Sequence, residues 1–389
     1  MSKVNILIVS GEQLPNLIPL LMDKPEKAYL LASKDMVEYG NASRLAEAIK
    51  RMGIDVEIKA NMPDFDMRKI QDYVLQIAAD IRTAHPNAEI TVNSTGGNKL
   101  MAMGLVDVWR GEANRIIYVD TKHRCIEILP DAQGKVEPAI TMGNELDVPT
   151  YLRIQGFNYA GSASDKPDWN EQAVDRKDVC KQLAKEIESL AWLIGDLNRI
   201  AYDAIEQSHV NGKKVDNLVR PQQTLSALPR NENLALLKKI ASAGLLQWET
   251  GSKNIEFIDL EKTRFLSGGW LEEYAWHVMR DEKLFDARMG VNVTDKQTRN
   301  EFDVLACHQN QLLFVECKTL RFTQENDNEI AYKVDSLSRD VRGLFGQTWL
   351  LTARKPTDIL KDRAKKAYIR IIGPDELPKL RDIVREWRG

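Results

Sequence analysis

The 389-residue chain has only four cysteines, Cys125, Cys180, Cys307 and Cys317, and none stands in a C-x-x-C pair. Neither a disulfide framework nor a structural zinc site is expected, and a reducing cytoplasm fits. There is no run of about 18 uncharged apolar residues, which excludes a membrane-spanning helix. The first ten residues lack the long apolar region and cleavage site of a signal peptide. Five histidines show no metal-ligand spacing. A net charge of −3 gives no global basic signature for nucleic acid. The balance is uneven, however: the first 150 residues carry 17 basic and 21 acidic side chains, and the last fifty have a basic excess. Polyanion contacts are expected towards the C-terminus.

The length suits two or three domains, each large enough for a core. Residues 1–150 alternate strand and helix patterns. Val4–Val9, Ala28–Leu31, Ile54–Ile58 and Glu89–Val92 read as strands, and Leu14–Met22, Asn41–Met52, Met67–Arg82 and Lys99–Trp109 as helices. Arg115–Val119 and Cys125–Leu129 close the series as a hairpin. Such a βα series predicts an α/β fold with a parallel, doubly wound sheet. Asp131–Asp168, rich in Gly, Pro, Asn and Ser, reads as a crossing segment and linker. Glu171–Gln207 reads as one long helix. Asn231–Ala243 is a helix stopped by Gly244, followed by short strands at Leu245–Glu249 and Ile255–Ile258, the pattern of a winged helix. From Gly268 onwards the pattern is helix Trp270–Arg280, hairpin Phe302–His308 with Gln311–Thr319, a polar loop at Thr323–Glu329, helix Tyr332–Phe345 and strand Trp349–Thr352. Helix Pro356–Ala367 and strand Ile369–Ile372 follow. The expected domains are 1–150, 151–265 and 266–389.

The hairpin carries the strongest chemical signal. If Gln309-Asn310 is a two-residue turn, Asp303 stands directly opposite Glu316 on one face, with Cβ atoms roughly 4.5–5.5 Å apart. Opposed carboxylates repel unless a cation lies between them. Lys318, two residues beyond Glu316, shares that face. Two carboxylates and an ammonium among apolar strands equip a site for metal-assisted phosphodiester hydrolysis, with hard oxygen ligands for Mn²⁺ or Mg²⁺. In the preceding helix Leu271, Tyr274, Ala275 and Val278 form the buried stripe. Glu272 then flanks the stripe and can face a neighbouring site, whereas Glu273 points to water. Gly268-Gly-Trp-Leu-Glu272, Phe302-Asp-Val-Leu and Val315-Glu-Cys-Lys318 together resemble the PD-(D/E)xK nuclease superfamily over about residues 266–375. The resemblance implies a restriction-endonuclease-like α/β domain, with Asp303 and Glu316 as metal ligands, Lys318 as the catalytic lysine and Glu272 supporting the metal. The proline that often precedes the family's Asp is replaced by Phe302.

Two loops at the N-terminal end invite a ligand. Ser10-Gly11-Glu12-Gln13 follows the first strand and Asn93-Ser94-Thr95-Gly96-Gly97-Asn98-Lys99 the fourth. Backbone N–H groups at a helix start, hydroxyls and a lysine suit a phosphate or another polar ligand. Neither loop is a Walker loop or a dinucleotide fingerprint. A Rossmann-like domain with these two loops, followed by a winged-helix-like segment and a PD-(D/E)xK nuclease, resembles the CARF-domain nucleases of the Card/Can type, which act in type III CRISPR antiviral defence. The resemblance spans nearly the whole chain. It implies a homodimer activated by a cyclic oligoadenylate, usually cyclic tetra-adenylate, that then cuts DNA and/or RNA non-specifically. Ser10, Gly11, Glu12 and Gln13 would line the pocket, and Thr95, Gly96, Gly97, Asn98 and Lys99 would hold the ribose-phosphate ring. The alternative is a ligand-responsive winged-helix transcriptional regulator with an inactive nuclease-like domain.

Overall fold

The computed structural model describes residues 2–210, 213–294, 299–319, 324–343 and 346–389. The chain divides into two compact units. The first comprises Met1–Asn158 together with His308–Gln311 and Gly343–Phe345; the second holds the rest.

The first unit is built on a seven-stranded sheet. Its order is Asp55–Lys59, Lys27–Leu31, Lys3–Ile8, Glu89–Asn93, Arg115–Asp120, Cys125–Ile128 and Ile140–Thr141. The first five strands pair in parallel and the last two join antiparallel. Val4, Ile6, Leu7 and Ile8 are all buried, as expected for a strand covered on both faces. The helix Met67–Ala84 packs its Ile70, Val74, Ile77 and Ile81 stripe on this core with Met101 and Leu105 of the helix Lys99–Trp109. Gly104 lets those two helices approach closely, because a Cβ there would lie 2.6 Å from Ile70 Cγ2. The strand order reverses between Lys3–Ile8 and Glu89–Asn93, a topological switch point where ligands of doubly wound folds bind.

The second unit is built on a six-stranded sheet ordered Ile369–Ile372, Gln347–Thr352, Gln311–Lys318, Arg299–His308, Asp286–Thr294 and Asn158–Gly161. Gln309 and Asn310 both adopt left-handed backbone (φ 49° and 63°), so the hairpin does turn on two residues. The helix Trp270–Asp281 buries Leu271, Tyr274, Ala275 and Val278 in one cluster with Val304, Ala306, Leu313 and Val315, as the periodicity predicts. The helix Asn231–Ser242 and a three-stranded sheet of Gln222–Thr224, Asn254–Phe257 and Leu246–Trp248 form the winged-helix-like segment. Its Leu236, Ile240, Leu246 and Phe257 belong to that same cluster.

Three local readings are corrected and one strand is added. The Asp131–Asp168 segment is not plain linker: it contains the helix Val148–Ile154, capped by Asp147 and burying Tyr151 and Leu152, and the strand Asn158–Gly161. The single helix expected over Glu171–Gln207 is two, Pro167–Lys185 and Ala191–Ala204, followed by the strand Ile205–Val210. Neither Gly nor Pro marks that break; the chain turns so that Ile187 and Leu190 enter the core. The polar loop expected over Thr323–Glu329 is helical from Gln324, since the helix Gln324–Arg342 meets neither Gly nor Pro before Gly343. Thr323 and Phe345 lie outside the described residues. The strand Asp286–Thr294 was not anticipated.

Candidate functional site

The hairpin strands and the Trp270–Asp281 helix bring four of the expected residues into one electrostatic cluster. Asp303 Oδ2 accepts a 2.7 Å hydrogen bond from the backbone N–H of Cys317. Lys318 Nζ lies 2.6 Å from Glu316 Oε1 and also donates to Cys317 O at 3.3 Å. Glu316 is 5% exposed. Burial, and then the Glu316 charge, push the Asp303 carboxyl up to about 7 against the pull of Lys318. Burial and the Asp303 charge hold the Glu272 carboxyl well above the usual range, with Lys318 opposing. The surrounding carboxylates outweigh burial at Lys318 and push its ammonium up to about 12, so it stays charged. Glu301 adds a fourth acidic group to this field, which the sequence reading missed; it stands two residues before Asp303, on the same face of a strand.

The expectation for Glu273 is overturned. It does not face water but is buried in a paired contact with Arg176, Nε–Oε2 3.1 Å and Nη2–Oε1 2.8 Å. Arg176 comes from the helix Pro167–Lys185, and 97 positions of sequence separate the two, so no local pattern could reveal the pair. Among the described residues, Cys180, Glu273 and His277 are the one group offering three possible ligand atoms within 4.8 Å of one another. Their chemistry is structural. Both Glu273 oxygens serve Arg176, and His277 Nε2 lies 2.9 Å from Ala173 O. Burial lowers His277 to about 4 and raises the Cys180 thiol, and the fixed Arg176 charge repels a cation. Glu272, Asp303 and Glu316 are spaced more widely than that group, with an ammonium lying on one of them.

The two N-terminal loops meet at the switch point. Asn93 is buried there; its Oδ1 accepts from Thr95 N (3.0 Å) and Thr95 Oγ1 (2.6 Å), and its Nδ2 donates to Pro15 O at 3.0 Å. Thr95 Oγ1 also accepts from Val119 N at 2.8 Å. Gly96 lies against the end of the first strand so closely that a Cβ would sit 1.9 Å from Ile8 O. Gly97 has φ +75°, which only glycine adopts freely. Asn98 caps the following helix by accepting from Met101 N at 3.0 Å. In the first loop Ser10 Oγ donates to Glu12 O at 2.6 Å and Gln13 Nε2 to Ser10 O at 2.6 Å. Gly11, Gly97, Asn98 and Lys99 are exposed, Ser10, Glu12 and Thr95 half-buried, and Gln13 and Gly96 buried. The expected ligand residues therefore line one end of the sheet, with the exposed ones facing outwards. In the winged-helix-like segment Lys239 and Lys253 donate to backbone carbonyls of their own chain, Asp178 O at 3.1 Å and Ser226 O at 3.2 Å.

Residues 4–151 match the family model described as "Card1 CARF domain", and residues 259–389 the one described as "Card1-like, endonuclease domain". The chain belongs to the CARF-domain nucleases of the Card/Can type. No curated protein matches it. Solved structures share the fold of this CARF-domain nuclease. The crystal structure of protein VC1899 from Vibrio cholerae has a TM-score of 0.82 at 19% identity, covering 99% of this chain and 97% of that one. Can2 from Sulfobacillus thermosulfidooxidans, in complex with cyclic tetra-adenylate, has a TM-score of 0.74 at 24% identity, covering 100% and 99%. A type III CRISPR defence DNA nuclease activated by cyclic oligoadenylate has a TM-score of 0.56 at 18% identity, covering 98% of this chain and 51% of that one. Glu272, Asp303, Glu316 and Lys318 of the CARF-domain nuclease all fall within its endonuclease domain, and the two loops within its CARF domain. Among the described residues no helix is long and apolar enough to cross a membrane.

Proposed function

We propose that this CARF-domain nuclease is a metal-dependent endonuclease of the PD-(D/E)xK type, switched on by a cyclic oligoadenylate. The observation that carries the nuclease site is the convergence of the half-buried Glu272, Asp303 and Lys318 and the buried Glu316 in one electrostatic cluster. Three carboxyl groups share a single ammonium, and burial together with their mutual repulsion holds the Asp303 and Glu272 carboxyls up. A hard divalent cation with oxygen ligands relieves that repulsion, so the donor set fits Mn²⁺ or Mg²⁺. Bound there, the metal would supply Lewis acidity towards the phosphate and acidify a water. Asp303 and Glu316 would hold the metal, and Glu272 would support it. Lys318 would neutralise charge growing on the scissile phosphate and orient the attacking water. The substrate is DNA and/or RNA, cut in the cytoplasm as a defence against invading nucleic acid.

The activator reading rests on the switch-point loops, whose exposed N–H groups, amide and ammonium suit a ribose-phosphate ring. Cyclic tetra-adenylate is the ring bound by Can2, a relative of the same fold. Phe65, Leu100 and Met103 are exposed apolar residues close to Asn98 and Lys99, and Asn98 Nδ2 donates to Asp64 O at 2.6 Å. A second copy of the chain would cover them, and a symmetric ring would then lie on the two-fold axis and meet both copies' loops identically. Activation requires the ring to bind the cutting arrangement more tightly than the resting one. The test is cleavage of single-stranded DNA, single-stranded RNA and supercoiled plasmid with Mn²⁺. Each is run with and without cyclic tetra-adenylate or cyclic hexa-adenylate, with Glu316→Ala as control. Activator-dependent cutting that Glu316→Ala abolishes and Lys99→Ala weakens is expected. Cutting that ignores both rings removes the activator, and undiminished cutting by Glu316→Ala removes the site.

A further inference from the structure

A cavity of about 610 Å³ in the second unit has no part in the chemistry described so far. It opens beside the helix Ala191–Ala204, at the end of the strand that carries Lys318. Thr319, in its wall, directly follows Lys318, and Lys318 O accepts from Ala353 N at 3.0 Å, one residue before the cavity's Arg354. The remaining wall includes Trp192, Asp196, Arg199 and Tyr202.

The cavity is built rather than left over. Gly195 sits inside a helix, where glycine costs about 1 kcal/mol relative to alanine. A Cβ at that position would lie 2.2 Å from Arg354 Nη2. The helix omits a side chain there and the guanidinium lies across it, donating to Ala191 O at 3.0 Å. Tyr202, in the same wall, is 72% exposed. Trp192 Nε1 donates to Ser226 Oγ at 3.2 Å, which fixes the indole at the rim. Asp196 accepts from Ser226 N (2.7 Å) and Arg199 Nη2 (2.8 Å), and Arg199 also faces Asp203 at 3.5 Å.

Two arginines and two aspartates make the wall close to neutral, so charge alone would not draw a polyanion into it. Aromatic faces, guanidinium planes and hydrogen-bonding groups are what a nucleobase needs. From this we infer that the cavity is a nucleobase subsite: it takes a base of the substrate strand next to the phosphate being cut, stacked on Tyr202 and edged by Arg354. This rests on the nuclease reading above and deepens it. The base is held by its π-face, which every base possesses, so the subsite places the strand without reading its sequence.

The test measures binding rather than cutting, so its failure is separate from failure of the nuclease site. Full-length Glu316→Ala protein with cyclic tetra-adenylate is titrated with single-stranded oligonucleotides carrying 2-aminopurine, whose fluorescence falls on stacking. Quenching is expected, and adding Tyr202→Ala should weaken binding about tenfold and restore the fluorescence, the equivalent of one lost base–ring stack. Tyr202→Phe should behave like tyrosine, because the ring does the holding. In the cutting protein, Tyr202→Ala should raise KM by a similar factor and leave kcat within about twofold. Unchanged binding and quenching with Tyr202→Ala, loss of binding with Tyr202→Phe, or no oligonucleotide binding to the parent protein would each overturn the subsite.

Discussion

Glu272 and Glu273 are neighbours in sequence and should respond to substitution with opposite signs. Glu273 and Arg176 are buried partners, each with a side chain 4% exposed. In Glu273→Ala the guanidinium keeps its contacts to the half-exposed Glu261, at 3.1 Å, and to Gln172, at 3.5 Å, and its place over the Trp169 and Phe265 rings. Removing one partner of a buried pair costs about 3–5 kcal/mol, because the other charge is left unmatched in a poor solvent. The surviving Glu261 contact puts the expectation at the lower end, about 3 kcal/mol. For a domain of 150–250 residues that corresponds to a fall in Tm of roughly 6–12 °C. Glu272 sits instead where burial, and then the Asp303 charge, hold its carboxyl well above the usual range. Glu272→Gln removes a repulsion and should leave the metal-free protein as stable or slightly more so, while abolishing cleavage. Urea unfolding of the full chain measures both, with tryptophan fluorescence as signal, since Trp270 and Trp276 lie on the same helix. An unshifted midpoint for Glu273→Ala, or an equal loss for Glu272→Gln, would refute the division of roles between these two residues.

Divalent metal should stabilise the protein more at pH 8 than at pH 6, because Asp303, pushed up to about 7, must lose its proton before it can bind. By the same linkage, between about pH 4 and 7 the folded state holds this proton and the unfolded state does not. Asp303 therefore makes the metal-free protein lose stability as pH rises through that window, and a thermal melt series that shows the reverse slope would contradict the assignment. Gly96→Ala should cut affinity for the activator at least tenfold by displacing the loop from Ile8 O, read by calorimetric titration with cyclic tetra-adenylate. Asn310→Ala should cost about 3 kcal/mol in denaturant unfolding. It removes the bonds to Gly143 O (2.9 Å), Glu145 N (2.8 Å) and Leu146 N (3.1 Å), each worth about 1 kcal/mol, from a left-handed position.

Much of this architecture was legible because its signals are local. Apolar periodicity marked the strands and helices of the first unit, and the Lys99–Trp109 helix was found residue for residue. Parallel strands covered on both faces read as apolar runs, and the Gln309-Asn310 turn announced the carboxylate hairpin. Spacing on a helix wheel found the Leu271 stripe and left Glu272 free for the site. The same wheel placed Glu273 in water, because a wheel does not know what a second helix will bring. A buried arginine 97 residues away decided the matter. The break between Lys185 and Ala191 was hidden for the same reason: the residues there are acceptable in a helix, and long-range packing overrode them. The cavity beside Lys318 combines side chains from four separate stretches of chain, which no window along the sequence displays.

Asn310 has a consequence for inheritance. The tip of the hairpin, His308–Gln311, is counted with the sensor's own compact unit, and its amide completes the loop at Gly143–Leu146. A gene cut after residue 158 would thus deliver a sensor whose Glu145 and Leu146 N–H groups have lost their acceptor. Recombination that gave this sensor a new effector would have to bring a fitting tip along with it. The two halves are therefore not interchangeable cassettes: what evolves on the hairpin is answerable to the loop at 143–146, and the two segments should drift together.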